Sequence, residues 1–140
     1  MEKKAMFRIL SYADSAEVVA LGSFISKHHR VSTLKKPQKT LVMLKVRESA
    51  QNTLFYAGEA LACECMVSIG DAKGFAACLG DDMEKVYAMA IIDASFNSGI
   101  PECEMIVDTL RGWEDKTREE HLAQARLTMA TKVDFSVMEE

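Results

Sequence analysis

Residues 54–80 read LFYAGEALACECMVSIGDAKGFAACLG, and one β-hairpin organises them. From Leu61 the apolar side chains recur at every second position as Leu61, Cys63, Cys65, Val67 and Ile69, the period of a strand with one buried face. Ala60, Ala62, Glu64 and Ser68 point the other way. Gly70, Asp71 and Gly74 supply turn chemistry, after which Phe75, Ala77 and Leu79 resume the alternation, so the segment predicts an antiparallel hairpin. Gly58 marks a bulge, and Glu59 stands directly beside it.

Working outward, 42, 44 and 46 carry Val, Leu and Val against Lys45 and Arg47, which predicts a strand after Pro37. Residues 31–34 form a further short strand, and 48–52 read as the turn into the hairpin. Upstream, Met6, Ile9, Leu10 and Ala13 share one helical face. Asp14 or Ser15 can cap a second helix that buries Val18, Val19, Gly22 and Ile25 and ends near His28. Downstream, Asp81 and Glu84 have capping-box spacing ahead of the stripe Met83, Val86, Tyr87, Ala90, Ile91 and Ala94, which Asn97, Ser98 and Gly99 stop. Pro101 begins a helix that Gly112 terminates. Thr117 and Glu120 start another, with Leu122, Ala125 and Met129 inward, and Val133, Phe135 and Val137 alternate in the tail. The predicted fold class is therefore α+β: an antiparallel sheet of about four strands with a central hairpin, flanked by N-terminal and C-terminal helices.

At 140 residues the chain is long enough to bury roughly two-thirds of its unfolded surface as one domain, 1–140. Hydrophobic residues make up 49% and charged residues 27%, an ordinary globular balance. No apolar run approaches the ~20 residues that span a bilayer, and the first residues lack a signal-peptide core, so the expected location is cytoplasmic. Four cysteines with no C-x-x-C pair suit reduced thiols. The net charge of −4 hides an asymmetry: residues 18–47 contain no acid but include Lys27, Arg30, Lys35, Lys36, Lys39, Lys45 and Arg47. Such a stretch suits a phosphate-rich ligand or an acidic partner surface; a lysine-guarded strand edge has the same composition.

Few residues assemble chemistry. Cys63, Cys65 and Cys78 are candidate sulfur ligands, but their alternation with Leu61, Val67 and Ile69 reads as small core hydrophobes. His28 and His29 diverge on a helix, so a single site takes only one of them, and His121 reads as surface. Glu59, re-aimed by the bulge, is the best candidate carboxylate. Asp93 falls inside an apolar stripe and needs a partner, for which Lys132 is one candidate. Lys132 and Asp134 stay free of the alternating tail face. No P-loop, dinucleotide fingerprint, zincin helix or nucleophile elbow is present. An acidic chain without interleaved aromatics does not suit nucleic acid.

Three blocks in order carry a family resemblance. They are PQKTLVMLKVR at 37–47; the hairpin, with Phe55, Gly58, Glu59, Leu61, Cys65 and Val67 followed by Leu79, Gly80, Asp81, Ala88, Ala90, Asp93 and Ala94; and ATKVDFSVM at 130–138. Together they resemble the PhnG family, the G subunit of the bacterial carbon-phosphorus lyase system. Lys132 departs from the family's arginine, and lysine does not reproduce arginine's bidentate fork. The resemblance implies a subunit without an established active site, partnered in a hetero-oligomer by the H, I and J subunits and by the ATP-binding-cassette-like L subunit. That assembly joins a phosphonate to the ribose C1 of ATP with release of adenine. ATP is then used by the complex and no cofactor is expected on this chain alone; no catalytic residue or metal ligand is assigned. The candidate functional or interface residues are Gly58, Glu59, Lys35, Lys36, Lys39, Lys132 and Asp134. The competing readings are a stand-alone small-molecule enzyme using Glu59 and an anion-binding module using residues 27–47.

Overall fold

The computed structural model describes residues 1–133, so Asp134 and the end of the alternating tail lie outside the described residues. The order is α1 (Lys3–Tyr12), α2 (Ser15–His28), β1 (Val31–Arg47), β2 (Leu54–Ile69), β3 (Ala72–Leu79), α3 (Met83–Ser98) and α4 (Cys103–Ala130). The strands form one antiparallel sheet in the order β1-β2-β3. The α+β plan holds, with three strands where about four were expected. The two short strands around Pro37 are one: β1 is an edge strand, where proline costs no ladder bond, and irregularities between Thr33 and Lys35 and between Lys35 and Gln38 absorb the mismatch.

Gly70 and Asp71 make the two-residue turn between Ile69 and Ala72, with Gly70 at φ +59°, a backbone setting that hairpin turns reserve for glycine. Gly74 is not part of the turn. It lies in β3, where an added Cβ would stand 2.2 Å from the Ala90 carbonyl oxygen and 2.3 Å from the Ala94 nitrogen. Its absent side chain lets α3 sit directly on the sheet. The inward set on this hairpin is Cys63, Cys65, Val67 and Ile69 facing Gly74 and Ala76, while Phe75 and Leu79 point outward and are exposed.

Helix α3 is buried almost all round, from Val86 to Ser95, because the sheet covers one side and α2 the other. Gly22 of α2 repeats the close-packing device: a Cβ there would meet the Ala88 Cβ at 2.7 Å. Asp93, 1% exposed, is paired not with Lys132 but with Lys3 at 2.8 Å. Its carboxylate also accepts the Phe75 amide at 3.0 Å, and the Asn97 side chain donates to the Lys73 carbonyl at 2.7 Å. These side chains satisfy two backbone groups on the outer edge of β3, an edge that otherwise invites a foreign strand. Lys132 lies exposed just past α4.

The cap of α3 is Asp82, one residue later than the capping-box spacing indicates. It accepts the Lys85 amide at 2.9 Å and the Ser15 hydroxyl at the start of α2. The Ser15 hydroxyl first, and then the Lys85 amide, hold its carboxyl below the usual carboxylate range. A depressed folded-state pKa stabilises the fold above the unfolded value of about 3.9 and is lost as pH falls through the folded one. Asp82→Asn is therefore expected to flatten the acid limb of a Tm-against-pH curve below about pH 4, and Asp82→Ala to cost about 1 kcal/mol at pH 7. An unchanged acid limb in the asparagine variant would refute the assignment.

Helix α4 is one helix of 28 residues, with no stop at Gly112 and no new start at Thr117. A lone solvent-facing glycine costs only about 1 kcal/mol against alanine, and packing of Ile106, Leu110 and Trp113 on the core carries the helix past it. An Arg8 to Glu114 ion pair at 2.5 Å ties α4 to α1. Leu122 and Met129, expected to face inward, are 53% and 66% exposed.

Candidate functional site: an apolar arm on a basic strand

β3 pairs with β2 only as far as Ala62 opposite Leu79, and the last rung is the Gly80 amide donating to the Leu61 carbonyl at 2.9 Å. Beyond it β1 and β2 continue alone as a two-stranded arm. Opposed residues share a face, so the face that carries Cys63 continues through Lys39, Leu41, Leu61 and Met43, and the opposite face carries Val42 and Leu44. Both faces are apolar and open: Leu41 is 61% and Met43 56% exposed on one, Val42 41% and Leu44 42% on the other. Val46, Leu54 and Phe55 extend this surface toward the tip.

The arm is nevertheless built to keep a shape. Its register steps once, between Leu44 opposite Gly58 and Lys45 opposite Tyr56, which is the bulge expected at Gly58. At the tip the Glu48 carboxylate accepts the Ala50 amide at 2.9 Å and the Gln51 amide at 2.6 Å. Those donors hold the Glu48 carboxyl below its ordinary range. Arg47 donates to the Asn52 carbonyl at 2.7 Å, and Asn52 takes φ +58°. A bare two-stranded hairpin is marginal in water; an ordered one with apolar residues on both faces has the form of an insertion element.

The candidate residues fall along this arm and its root. Glu59 is exposed opposite Met43, with no ion-pair partner among the described residues. It lies four positions from Cys63 on β2, roughly 13 Å at strand rise. Lys35 pairs with Glu64 on the sheet's outer face, and Gln38 donates to the same carboxylate at 3.0 Å. Lys36 and Lys39 are exposed and have no such partner among the described residues. Lys132 is on a different element, so the structure gathers the basic strand and the Gly58 and Glu59 pair onto one hairpin and leaves Lys132 elsewhere.

The thiols are turned inward. Cys63 lies opposite Cys78 and donates to the Asp82 carbonyl at 3.4 Å; Cys65 donates to the Lys35 carbonyl at 3.3 Å. Among the described residues no cluster of three or more His, Cys, Asp or Glu is arranged to hold a metal. Burial first, and then neighbouring Cys78, push the Cys63 thiol up to about 11, which disfavours the reactive thiolate. Alkylation of the native protein is expected to modify half-buried Cys78 before Cys63 or Cys65, in an order read by peptide mass mapping; early labelling of Cys63 would contradict the packing. His29 is engaged rather than free, with Nε2 2.9 Å from the Glu102 carboxylate.

An arm with apolar residues on both faces has the form of a chain that works inside an assembly. The family model for phosphonate metabolism protein PhnG matches residues 1–139. The chain belongs to the PhnG family. A search of curated proteins finds no match. The PhnG match takes in the arm, the basic strand and the helices alike, and gives the chain a role in phosphonate metabolism. Among the described residues no helix is long and apolar enough to cross a membrane.

Proposed function

We propose that this chain is a non-catalytic accessory subunit of a cytoplasmic carbon-phosphorus lyase core complex, built with H, I and J subunits and acting with the L subunit. In this reading the complex transfers a phosphonate to the ribose C1 of ATP and releases adenine, giving a ribose 1-methylphosphonate 5-triphosphate. The observation that carries it is the arm: a shaped hairpin with apolar residues on both faces is suited to burial in other subunits. The chemistry explains why such a subunit is needed. The phosphonate oxygen competes with water for C1, so the pocket must be closed to solvent, and an inserted element that completes a partner's wall favours transfer over hydrolysis.

The test is co-expression with the H, I and J subunits, size exclusion of what a tag on this chain retains, and a phosphorus NMR assay with and without it. A stoichiometric complex with chain-dependent ribose phosphonate formation supports the reading. A lone folded protein that retains none of them refutes it. The basic strand adds a second expectation. Neutralising Lys35, Lys36 and Lys39 together is expected to weaken assembly or transfer several-fold, mainly through Lys36 and Lys39, because Lys35 already serves Glu64. Unchanged complex yield and unchanged transfer would remove the anion-facing role.

A further inference from the structure

At the root of the arm a groove of about 580 Å³ runs between α2, α3 and β1, lined by Val19, Ser23, Pro37, Met83, Glu84 and Tyr87 among others. Its floor is made where Gly22 lets α2 close on Ala88. The groove opens toward the helix-facing side of the arm, because Lys39 opposite Cys63, and Leu41 opposite Leu61, continue that face from Pro37. Apolar surface therefore turns a corner, from Val19, Met83 and Tyr87 on the helices to Leu61, Leu41 and Met43 on the arm.

Small-molecule sites converge several free polar groups on an apolar pocket, and this groove does not. The Ser26 hydroxyl is committed to the Gly22 carbonyl at 2.9 Å and the Tyr87 hydroxyl lies 3.3 Å from that of Thr33. What remains is an apolar trough with Glu84 in its lining on the α3 side and Lys39 just outside it on the strand side, two residues past Pro37 on the same face; both are exposed and neither is ion-paired among the described residues. Opposite charges on opposite banks complement a polypeptide whose two polar flanks differ in sign.

We infer that this groove receives an amphipathic helix from a partner subunit, its apolar stripe against Val19, Met83, Tyr87 and Leu61, with a carboxylate toward Lys39 and a cation toward Glu84. The inference rests on the assembly reading and adds where, and in which orientation, a partner docks.

The experiment uses the co-expressed complex with a photoreactive benzoylphenylalanine at position 23, whose serine is exposed on the groove. Irradiation is expected to cross-link a partner peptide with helical apolar spacing and an acidic residue on one flank. Separately, Val19→Asp and Lys39→Glu are each expected to lower retention of that partner at least tenfold. If the complex forms but position 23 captures nothing, or only a second copy of this chain, and both variants retain partners normally, the groove inference fails while the assembly reading stands. If the wild-type chain retains no subunit, both fail. A captured peptide without amphipathic helical spacing also overturns the inference, and because cross-linking needs only position 23 replaced, the result survives if Val19→Asp does not fold.

Discussion

Gly74→Ala is expected to lower the melting temperature by roughly 10 °C, a cost of about 3 kcal/mol, at the upper end of overpacking penalties. The added carbon would stand 2.2 Å from the Ala90 oxygen, 2.3 Å from the Ala94 nitrogen and 2.7 Å from the Ala94 Cβ. Two of these are helix backbone, so no side chain can swing aside and α3 itself must retreat. That helix has nowhere to go: its far side is pressed on α2 at Gly22 and Ala88, and its Asp93 carboxylate is fixed to the Phe75 amide next door to Gly74. Gly70→Ala gives the internal comparison. Gly70 has positive φ but open space around its Cβ position, so its cost is about 1 kcal/mol of backbone strain. Thermal unfolding of both variants decides it. Equal small shifts would mean that α3 is not seated on β3 as described.

The same glycine shows how much of this fold was legible. The hairpin was readable because period-two alternation is imposed wherever one face is buried, and Cys63, Cys65, Val67 and Ile69 are buried together. Gly74 read as turn chemistry because sequence proximity to Gly70 says nothing about a helix arriving from residues 90–94. Asp93 announced a buried carboxylate, but its partner Lys3 lies 90 positions away, beyond any local pattern. Gly112 read as a helix stop, yet contacts on either side outweigh the modest propensity cost of one glycine. The candidate site was half legible: Gly58, Glu59 and the basic strand do share one hairpin, and the bulge stands where expected. The arm's exposure was hidden, because apolar runs such as 41–44 look the same whether the chain buries them itself or holds them out for another surface.

That ambiguity sets the sharpest functional expectation. The paired substitution Leu41→Glu with Tyr56→Glu is expected to reduce retention of partner subunits roughly a thousandfold, about 4 kcal/mol for two central apolar positions at hot-spot values near 2 each. Both side chains are at least 60% exposed in the free chain; Leu41 stands level with the last β3 rung at Leu61 and Tyr56 lies beyond it, so the body should keep its melting temperature within a few degrees. Stability and assembly thereby separate: Gly74→Ala attacks the fold, whereas the arm pair attacks only association. Glu59→Gln belongs in the same experiment. It removes the arm's lone strand carboxylate with almost no change of shape, so full turnover in its complex would exclude Glu59 as acid or base. Loss of turnover by Glu59→Gln, with a complex that still assembles, would instead move the chemistry onto this chain. If the Leu41 and Tyr56 pair leaves assembly intact, the apolar arm is not an insertion element, and the proposed accessory role loses the observation that carries it.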